Sequence, residues 1–483
     1  MNPSTHRKTA PEDRISFAQR LIYGLGGLIN NLLAAASGGM MIVLNLGLGM
    51  NPALVGLLGS LPRLTDALTD PIMGFISDNT ESRWGRRRPY IFAGAIAAGV
   101  IFSLLWLLPL FFRGTALFVS FLIGSIIFFM GYTVFATPWV ALGYELTPDY
   151  HERTRLMGTQ NFLSQLAYVV SPWFLWIMTY ERFFKDQVEG AAVLAIIIGV
   201  VTIGIGILPA IYLKERFKNI AESEKEKKST ALKNNLVNFF KGFATTVKSG
   251  PFLKLCLATF LVFNGFILVS SFQFYVIIYY VAGGNQNLGA EYAGYAGSVG
   301  AVSTFVVITI VTWLGTKIGK RRAFFVSTII AMVGYALKWV CYNPSHPWLV
   351  VLPAPLLAFS LGGLFTLMPA MMADVVDFDE LETHERREGM FGSIFWWVVK
   401  LGMSAALLGG GFLLNATGFD VALEGNQTDS AIFFMRLFDA GVPIVTSAIA
   451  IWAVAAYPLT EEKAHEVRQQ LEQRRGKAVE APA

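Results

Sequence analysis

Long apolar runs separated by short polar loops occupy almost the whole chain. A helix of about twenty apolar residues spans a bilayer, and the chain contains roughly twelve runs of that kind. We predict spans at residues 21–46, 53–76, 90–111, 115–145, 156–180, 191–213, 251–282, 290–316, 323–341, 347–376, 389–416 and 429–457. The pattern therefore predicts an all-α membrane protein with twelve transmembrane helices.

The one long polar stretch, 214–250, lies near the midpoint, and similar short motifs occur on either side of it. Gly85 lies in a basic loop after span 2, and Gly319 lies in a similar basic loop after span 8. The tripeptide His-Glu-Arg follows span 4 and again follows span 10. Its two copies are separated by nearly the same number of residues as Gly85 and Gly319. Six spans in each half indicate a parallel repeat, as in the major facilitator fold. The predicted parts are two six-helix bundles, the linker between them and a cytoplasmic tail: 1–213, 251–457, 214–250 and 458–483.

Composition and charge agree with a membrane protein and indicate its orientation. Hydrophobic residues make up 54% of the chain and charged residues 15%. The net charge of +5 would suit a nucleic-acid partner, but twenty-one lysines and arginines lie in loops on one predicted side of the membrane, against three on the other. Such a bias marks the cytoplasmic side. We expect both termini in the cytoplasm, a plasma-membrane location (the inner membrane in a bacterium) and no nucleic-acid partner.

The residues give no indication of catalysis. Cys256 and Cys341 lie in apolar runs, and the five histidines lack metal-ligand spacing. No nucleophile and base occur together at membrane depth. A transporter is therefore favoured over a membrane enzyme or a receptor, and no cofactor is expected. The polar start is too long and too charged for a signal peptide, so the first apolar run is expected to remain as a helix.

Span 2 contains Arg63, Asp66 and Asp70, although a charged side chain at membrane depth costs about 2.5–3.5 kcal/mol. Asp66 and Asp70 are four residues apart and share a helix face. Pro71 has no N–H for the carbonyl of Ala67, which leaves that oxygen available at the same level. Two carboxylates and a carbonyl would suit Na⁺ or hold a proton. The alternative is that Asp70 caps a kink and Asp66 only pairs with Arg63.

Two charge predictions concern the spans of the second half. Lys400 in span 11 lies about 15 Å deep at 1.5 Å per residue, as Asp66 does, and we expect it to link the two halves electrostatically. The alternative is that the Lys400 side chain snorkels to the membrane surface. Arg436 and Asp439 are three residues apart in span 12 and are expected to neutralise each other.

The cytoplasmic end of span 10 and the loop after it are rich in charge, including Asp374, Asp377 and Arg387. We expect the acids to pair with the basic loops and close an inner gate. The alternative is a solvated loop of mixed charge.

Polar and aromatic residues of spans 1, 4 and 5 are the candidates for solute binding: Asn30, Asn31, Tyr132, Trp139 and Asn161. A sugar ring stacks on an aromatic face while its hydroxyls need hydrogen-bond partners. The alternatives are that Tyr132 bonds only the backbone and that Trp139 lies against lipid.

The chain resembles the glycoside–pentoside–hexuronide:cation symporters, the melibiose permease family within the major facilitator superfamily. The resemblance covers essentially the whole chain and rests on these motifs: Arg-Leu-Thr-Asp-Ala-Leu-Thr-Asp-Pro-Ile-Met-Gly at 63–74, Ser-Arg-Trp-Gly at 82–85, Tyr-Gly-Leu-Gly at 23–26, Tyr-Thr at 132–133 with Pro138, and Val-Lys at 399–400. It implies that Asp66 and Asp70 belong to the cation site and that Thr133 is a cation neighbour. It also implies that Lys400 lies between the cation and sugar sites.

The chain departs from that family's pattern at the sugar contacts. Asn31 and Ala136 occupy the places of sugar-binding acids in spans 1 and 4, and Asn161 occupies the place of a span 5 arginine. The resemblance implies symport of a sugar or glycoside with Na⁺ or H⁺ by alternating access. The expected partners are a small sugar-like solute, a monovalent cation and the lipid bilayer. The departures leave an alternative solute open, an amphipath such as a lysolipid or a drug-like molecule.

Overall fold

A computed structural model of the chain describes residues 14–80, 82–147, 150–180, 182–215, 246, 249–384, 388–459 and 461–475. The side chains of several residues within the helices, Asp66 and Pro71 among them, lie outside this description. All regular elements in the described residues are helical. The chain divides into two compact units, Met1–Glu222 and Ser223–Ala483.

The first unit is built from six long helices: α1 Phe17–Gly39, α2 Pro52–Asn79, α3 Arg88–Phe111, α4 Gly114–Glu145, α5 Tyr150–Val170 and α6 Gln187–Gly206. Short helical segments follow three of them: Ile42–Leu46 after α1, Ser171–Trp173 and Phe174–Met178 after α5, and Leu208–Tyr212 after α6. Local sequence sets two of the starts. Ser16 and Gln19 form a capping box before α1, and the Asn51 side chain caps α2, which begins with Pro52.

The second unit repeats the plan with a further helix in the predicted tail: α7 Gly250–Tyr275, α8 Gln286–Ile318, α9 Lys320–Cys341, α10 Ala354–Thr383, α11 Glu388–Ala416, α12 Asp429–Ala455 and α13 Glu461–Arg475. A π-helical segment, Val276–Val281, continues α7, and 3₁₀ segments occur at Pro347–Val351 and Val421–Leu423. Ten of the helical stretches are long and apolar enough to cross a membrane, among the residues described. The other two long helices of the repeat, α2 and α5, carry more polar residues.

Equivalent helices pack against each other in both units. In the first unit α1 packs against α5 and α6, α2 against α4, and α3 against α4 and α6. In the second unit α7 packs against α11 and α12, α8 against α10, and α9 against α10 and α12. The same pairs in the same order confirm the predicted parallel repeat of six helices.

The two basic loops that indicated the repeat also share their structure. Gly85 and Gly319 both have a positive φ, 107° and 82°, which favours glycine in these tight turns. Directly after each loop an arginine donates to a backbone carbonyl beyond or at the end of its unit's sixth long helix: Arg88 to Ala210 in the short segment after α6, and Arg321 to Ala455 at the end of α12. The loops therefore hold the ends of neighbouring helices together.

Candidate functional site

Asp70 lies on α2 within a cluster of threonine hydroxyls from α2 and α4. Its Oδ1 accepts hydrogen bonds from Thr133, over 3.1 Å, and from Thr137, over 3.3 Å. The Thr69 hydroxyl lies 3.4 Å from that of Thr133. Thr133 is buried and Asp70 is half-buried. A carboxylate with adjacent hydroxyl oxygens is a donor set of the kind that hard cations prefer.

Two members of this hydroxyl cluster, Thr69 and Thr137, were missing from the sequence-based candidates. Thr137 follows Thr133 by four residues, so the two hydroxyls lie on one face of α4, and that spacing was the available signal. Asp66 lies one turn before Asp70 on α2, but its side chain is outside the part of the chain that the structure describes. The roles of Asp66, Asp70 and Thr133 in cation binding therefore stay predictions, with the Asp70–Thr133 contact observed.

Arg63, one of the predicted substrate residues, connects three helices of the first unit. Its Nη2 donates to the Ser37 hydroxyl on α1 over 3.3 Å. Its guanidinium also lies 5.3 Å from the centre of the Phe129 ring on α4. The charge therefore lies between α1, α2 and α4, on the same helix as Asp70.

Two asparagines and a tyrosine form a connected polar chain across α4, α1 and α5. The Tyr132 hydroxyl donates to Oδ1 of Asn30 over 2.8 Å, and the Asn30 amide donates to Oδ1 of Asn31 over 3.3 Å. The Asn31 amide in turn donates to the carbonyl of Ser164 over 3.4 Å. Tyr132 thus bonds a side chain as well as the backbone, so the alternative that it bonds only the backbone is wrong. All three side chains are half-buried and offer donors and acceptors for a polar solute.

The remaining two solute candidates, Trp139 and Asn161, lie in different surroundings. Trp139 is 3% exposed, stacks on the Tyr23 ring and donates from Nε1 to the Tyr23 carbonyl over 3.2 Å. Its indole packs directly on Gly26, so it joins α4 to α1 and does not lie against lipid. Asn161 is exposed on α5. Solute binding by either residue stays a prediction, and a packing role for Trp139 is observed.

The predicted gate residues are only partly within the described chain. Asp374 on α10 pairs with Lys320, the first residue of α9, over 2.7 Å, and Lys320 also donates to the carbonyl of Ala370. Asp377 is half-buried on α10. Arg387 lies outside the described residues. The Asp374 pair lies within the second unit, where it joins α9 to α10.

The first unit contains an equivalent ion pair that the sequence did not indicate. Glu145, at the end of α4, pairs with both Arg86 and Arg87, with Arg87 Nη1 at 2.8 Å. In each unit, therefore, a carboxylate in the C-terminal part of the fourth helix pairs with basic residues in or directly after the basic loop.

Glu215, at the start of the predicted linker, anchors the first basic loop. Its carboxylate accepts from the backbone N–H groups of Arg86, Arg87 and Arg88, over 2.8, 2.8 and 3.0 Å. Those N–H groups lie at the start of α3, where a negative charge is favourable. The linker is thus bound to the first unit at its beginning, and 216–245 lies outside the described residues.

The predicted pairing of Arg436 with Asp439 is wrong. Asp439 pairs instead with Lys338 on α9 over 2.8 Å, and both side chains are 2% exposed. Three residues of separation place two side chains on nearby parts of a helix, but Asp439 points toward α9 and meets a lysine there. Lys338 is a charge inside an apolar run, and such a position in the sequence indicates a buried charge that needs a partner.

Lys400 lies on α11 in the second unit and is half-buried. Its predicted partner Asp66 lies in the first unit, and the electrostatic link between them stays a prediction.

A six-helix plan that occurs twice, with polar groups held inside apolar helices, is the architecture of a major facilitator transporter, and this defines the class of the protein. The chain belongs to the MFS/sugar transport protein family, whose model matches residues 22–461. The resemblance to the cation symporters of that superfamily is confirmed. The protein is an integral membrane transporter and not an enzyme.

Similar proteins are found along nearly the full length. An uncharacterized symporter of Synechocystis is 26% identical, over 96% of this chain and 98% of that protein. The isoprimeverose transporter of Lactiplantibacillus pentosus is 24% identical, over 92% and 89%. A sodium-dependent lysophosphatidylcholine symporter of Gallus gallus is 24% identical, over 96% and 91%.

Solved structures support the fold. A bacterial homologue of the lysosomal transporter Spinster, in an inward-facing conformation, superposes with a TM-score of 0.64 at 15% identity. That alignment covers 94% of this chain and 96% of the solved one. At this identity the likeness concerns the fold alone.

Proposed function

We propose that the protein is a secondary active symporter that couples a monovalent cation, Na⁺ or H⁺, to the movement of a sugar or glycoside by alternating access. The observation that carries this proposal is Asp70, a half-buried carboxylate on α2, the predicted second span, that is bonded to the hydroxyls of Thr133 and Thr137. An acid at this depth in a transporter is typical of an ion pathway.

The hydroxyls give the cluster two ways of handling charge. In the structure they donate to Asp70, which offsets part of the unfavourable burial of a carboxylate. A hydroxyl also has two acceptor lone pairs, so rotation about its C–O bond turns an oxygen toward a metal cation. With Asp66 one turn away on α2, an arriving cation meets carboxylate and hydroxyl oxygens together. Either Na⁺ or a proton would neutralise the site.

Solute would bind beside this cluster in the first unit, and Lys400 on α11 is the proposed coupling residue of the second unit. Tyr132, Asn30 and Asn31 form one hydrogen-bonded chain that starts from α4, the helix that carries Thr133. Amide and phenol groups can both donate hydrogen bonds to sugar hydroxyls and accept them. They are neutral, so no charge has to be desolvated when the sugar binds. Cation binding that raises solute affinity must be matched by solute binding that raises cation affinity by the same factor.

The test begins with a thermal-shift screen of sugars and glycosides on the purified protein, with and without Na⁺ and at two pH values. A solute that stabilises the protein more strongly in the presence of its cation is then loaded in proteoliposome uptake assays. The proposal expects accumulation only when a cation gradient is present. If none of the sugars or glycosides in the screen changed the melting temperature, the sugar assignment would be contradicted.

A second candidate solute is an amphipath such as a lysolipid. A similar protein from Gallus gallus is named a sodium-dependent lysophosphatidylcholine symporter. In the comparison with the melibiose permease family, Asn31 and Ala136 of this chain occupy the places of sugar-binding acids. Including lysophosphatidylcholine in the same thermal-shift screen separates the two candidates, because a cation-dependent shift with the lysolipid and none with sugars would favour the second.

The proposed setting is the plasma membrane, in a bacterium the inner membrane, with both termini in the cytoplasm. The support is the distribution of basic residues, which favours that side. Replacement of Ser229 by cysteine, in a variant that lacks Cys256 and Cys341, tests the orientation. Labelling by an impermeant reagent is expected only after the cells are opened, and labelling of intact cells would reverse the topology.

A further inference from the structure

Arg436 carries a positive charge inside α12, and few groups of the described residues interact with its guanidinium. It lies about two turns from the start of the helix. Its Nη2 donates to the carbonyl of Trp339 over 2.6 Å, and its guanidinium lies 4.1 Å from the Tyr280 ring centre and 4.5 Å from that of Trp339. It forms no ion pair with a carboxylate of the described residues.

Asp439, the acid nearest to Arg436 in the sequence, already has a partner of opposite charge. Asp439 pairs with Lys338 inside the protein, and that pair is neutral as a whole. Arg436 therefore contributes an unbalanced positive charge to this part of the molecule. A charge within an apolar span normally acquires a partner, and a guanidinium has five N–H donors, of which the Trp339 carbonyl uses one.

On its inner side Arg436 lines a small recess together with Lys338 and Asp439, whereas the outward-facing residues near it are apolar or aromatic. Val340 is 68% exposed, Phe433 49% and Phe434 42%. Tyr280, on the π-helical end of α7, and Trp339, on α9, form the two aromatic walls of the guanidinium site. Aromatic side chains beside an arginine near the end of a span are typical of the membrane interface. Exposed apolar side chains at this level suit acyl chains better than they suit water.

We propose that Arg436 binds the phosphodiester group of a membrane phospholipid, in the leaflet at which α12 begins. A guanidinium binds phosphate through two parallel N–H bonds, and the lipid supplies the missing negative charge. The acyl chains of the same lipid lie along Val340, Phe433 and Phe434. On the predicted orientation this is the leaflet that faces away from the cytoplasm. The inference does not depend on which solute the protein carries.

Native mass spectrometry of the purified protein, titrated with phosphatidylglycerol, tests the assignment. Arg436→Gln is expected to weaken binding of the tightest lipid by more than about tenfold, because one charge-assisted hydrogen bond alone accounts for about tenfold and the change removes two. Arg182→Gln is the matched control, because Arg182 is an exposed arginine outside the long helices and the change removes the same charge. The control should bind lipid as the unaltered protein does. Equal lipid affinity in Arg436→Gln and the unaltered protein would overturn the proposal.

Competition on the unaltered protein keeps the test decisive if the glutamine variant does not fold. Monogalactosyldiacylglycerol has acyl chains without phosphate, and glycerol 3-phosphate has phosphate without chains. Neither should displace the bound phosphatidylglycerol at equal concentration. Displacement by the galactolipid would show that binding does not require the phosphate. Displacement by glycerol 3-phosphate would show that the site binds a soluble anion and not a lipid. Either result would overturn the proposal.

Discussion

Replacing Thr137 by valine should weaken cation binding and leave the fold intact. Valine resembles threonine in shape but has no hydroxyl, so the change removes one oxygen from the cluster around Asp70. Interactions of a hydroxyl with a charged group contribute about 1.5–3 kcal/mol. Without the cation the Thr137 hydroxyl donates to Asp70, and because that bond is long, at 3.3 Å, giving it up offsets only part of the hydroxyl's interaction with the cation. We therefore take the lower end of the range for the net loss. A loss of about 1.5 kcal/mol corresponds to about tenfold weaker cation affinity.

The assay is a cation titration of solute uptake into proteoliposomes, beside the cation-dependent thermal stabilisation of the purified protein. Thr202→Val is the control, because Thr202 is fully buried on α6 and its hydroxyl has no hydrogen-bond partner among the described residues. The half-saturating cation concentration should rise about tenfold in Thr137→Val and stay unchanged in Thr202→Val. An unchanged value in Thr137→Val, or an equal rise in both variants, would refute the reasoning.

Three further predictions concern the charged groups. Asp439→Asn should lower the free energy of unfolding in detergent by about 3–5 kcal/mol, because Lys338 is left buried without a counter-charge, whereas Lys338→Met with Asp439→Leu should recover most of the loss. Glu215→Gln should lower the melting temperature, because both carboxylate oxygens accept from the three N–H groups and an amide has one acceptor oxygen and no charge. An unchanged melting curve would contradict the anchoring role. Lys400→Ala should remove cation-driven uptake while the protein remains folded in the membrane, and normal uptake would favour snorkelling.

The helices were predictable because both of their determinants are local. An apolar run of the right length and a cap at its start are visible in the residues themselves, as with Ser16 before α1 and Asn51 before α2. The predicted span 53–76 is accordingly observed as Pro52–Asn79. The break at 40–41 was missed, because the apolar run continues through the end of α1 into the short helix Ile42–Leu46.

The partners of buried charges were harder to predict, since they depend on which helices come together. Asp439 was assigned to Arg436 from their spacing, but the packing of α12 on α9 gives it Lys338. Trp139 shows the same limit. An aromatic residue in an apolar span could face a solute, lipid or another helix, and Gly26 on α1 allows the close approach that the structure shows. By contrast, Thr137 could have been found, because its spacing from Thr133 is local.

The role of Asp70 in binding the coupling cation is tested most directly by solute transport in Asp70→Asn proteoliposomes. Two quantities are measured for the same preparation: accumulation driven by a Na⁺ or pH gradient, and exchange of labelled for unlabelled solute without a gradient. Asparagine keeps the shape of the side chain and one acceptor oxygen for Thr133 and Thr137, but it replaces the other carboxylate oxygen by an amide donor and removes the charge. We expect the variant to lose gradient-driven accumulation and to retain exchange. Accumulation at the level of the unaltered protein would contradict the assignment of the cation site to Asp70.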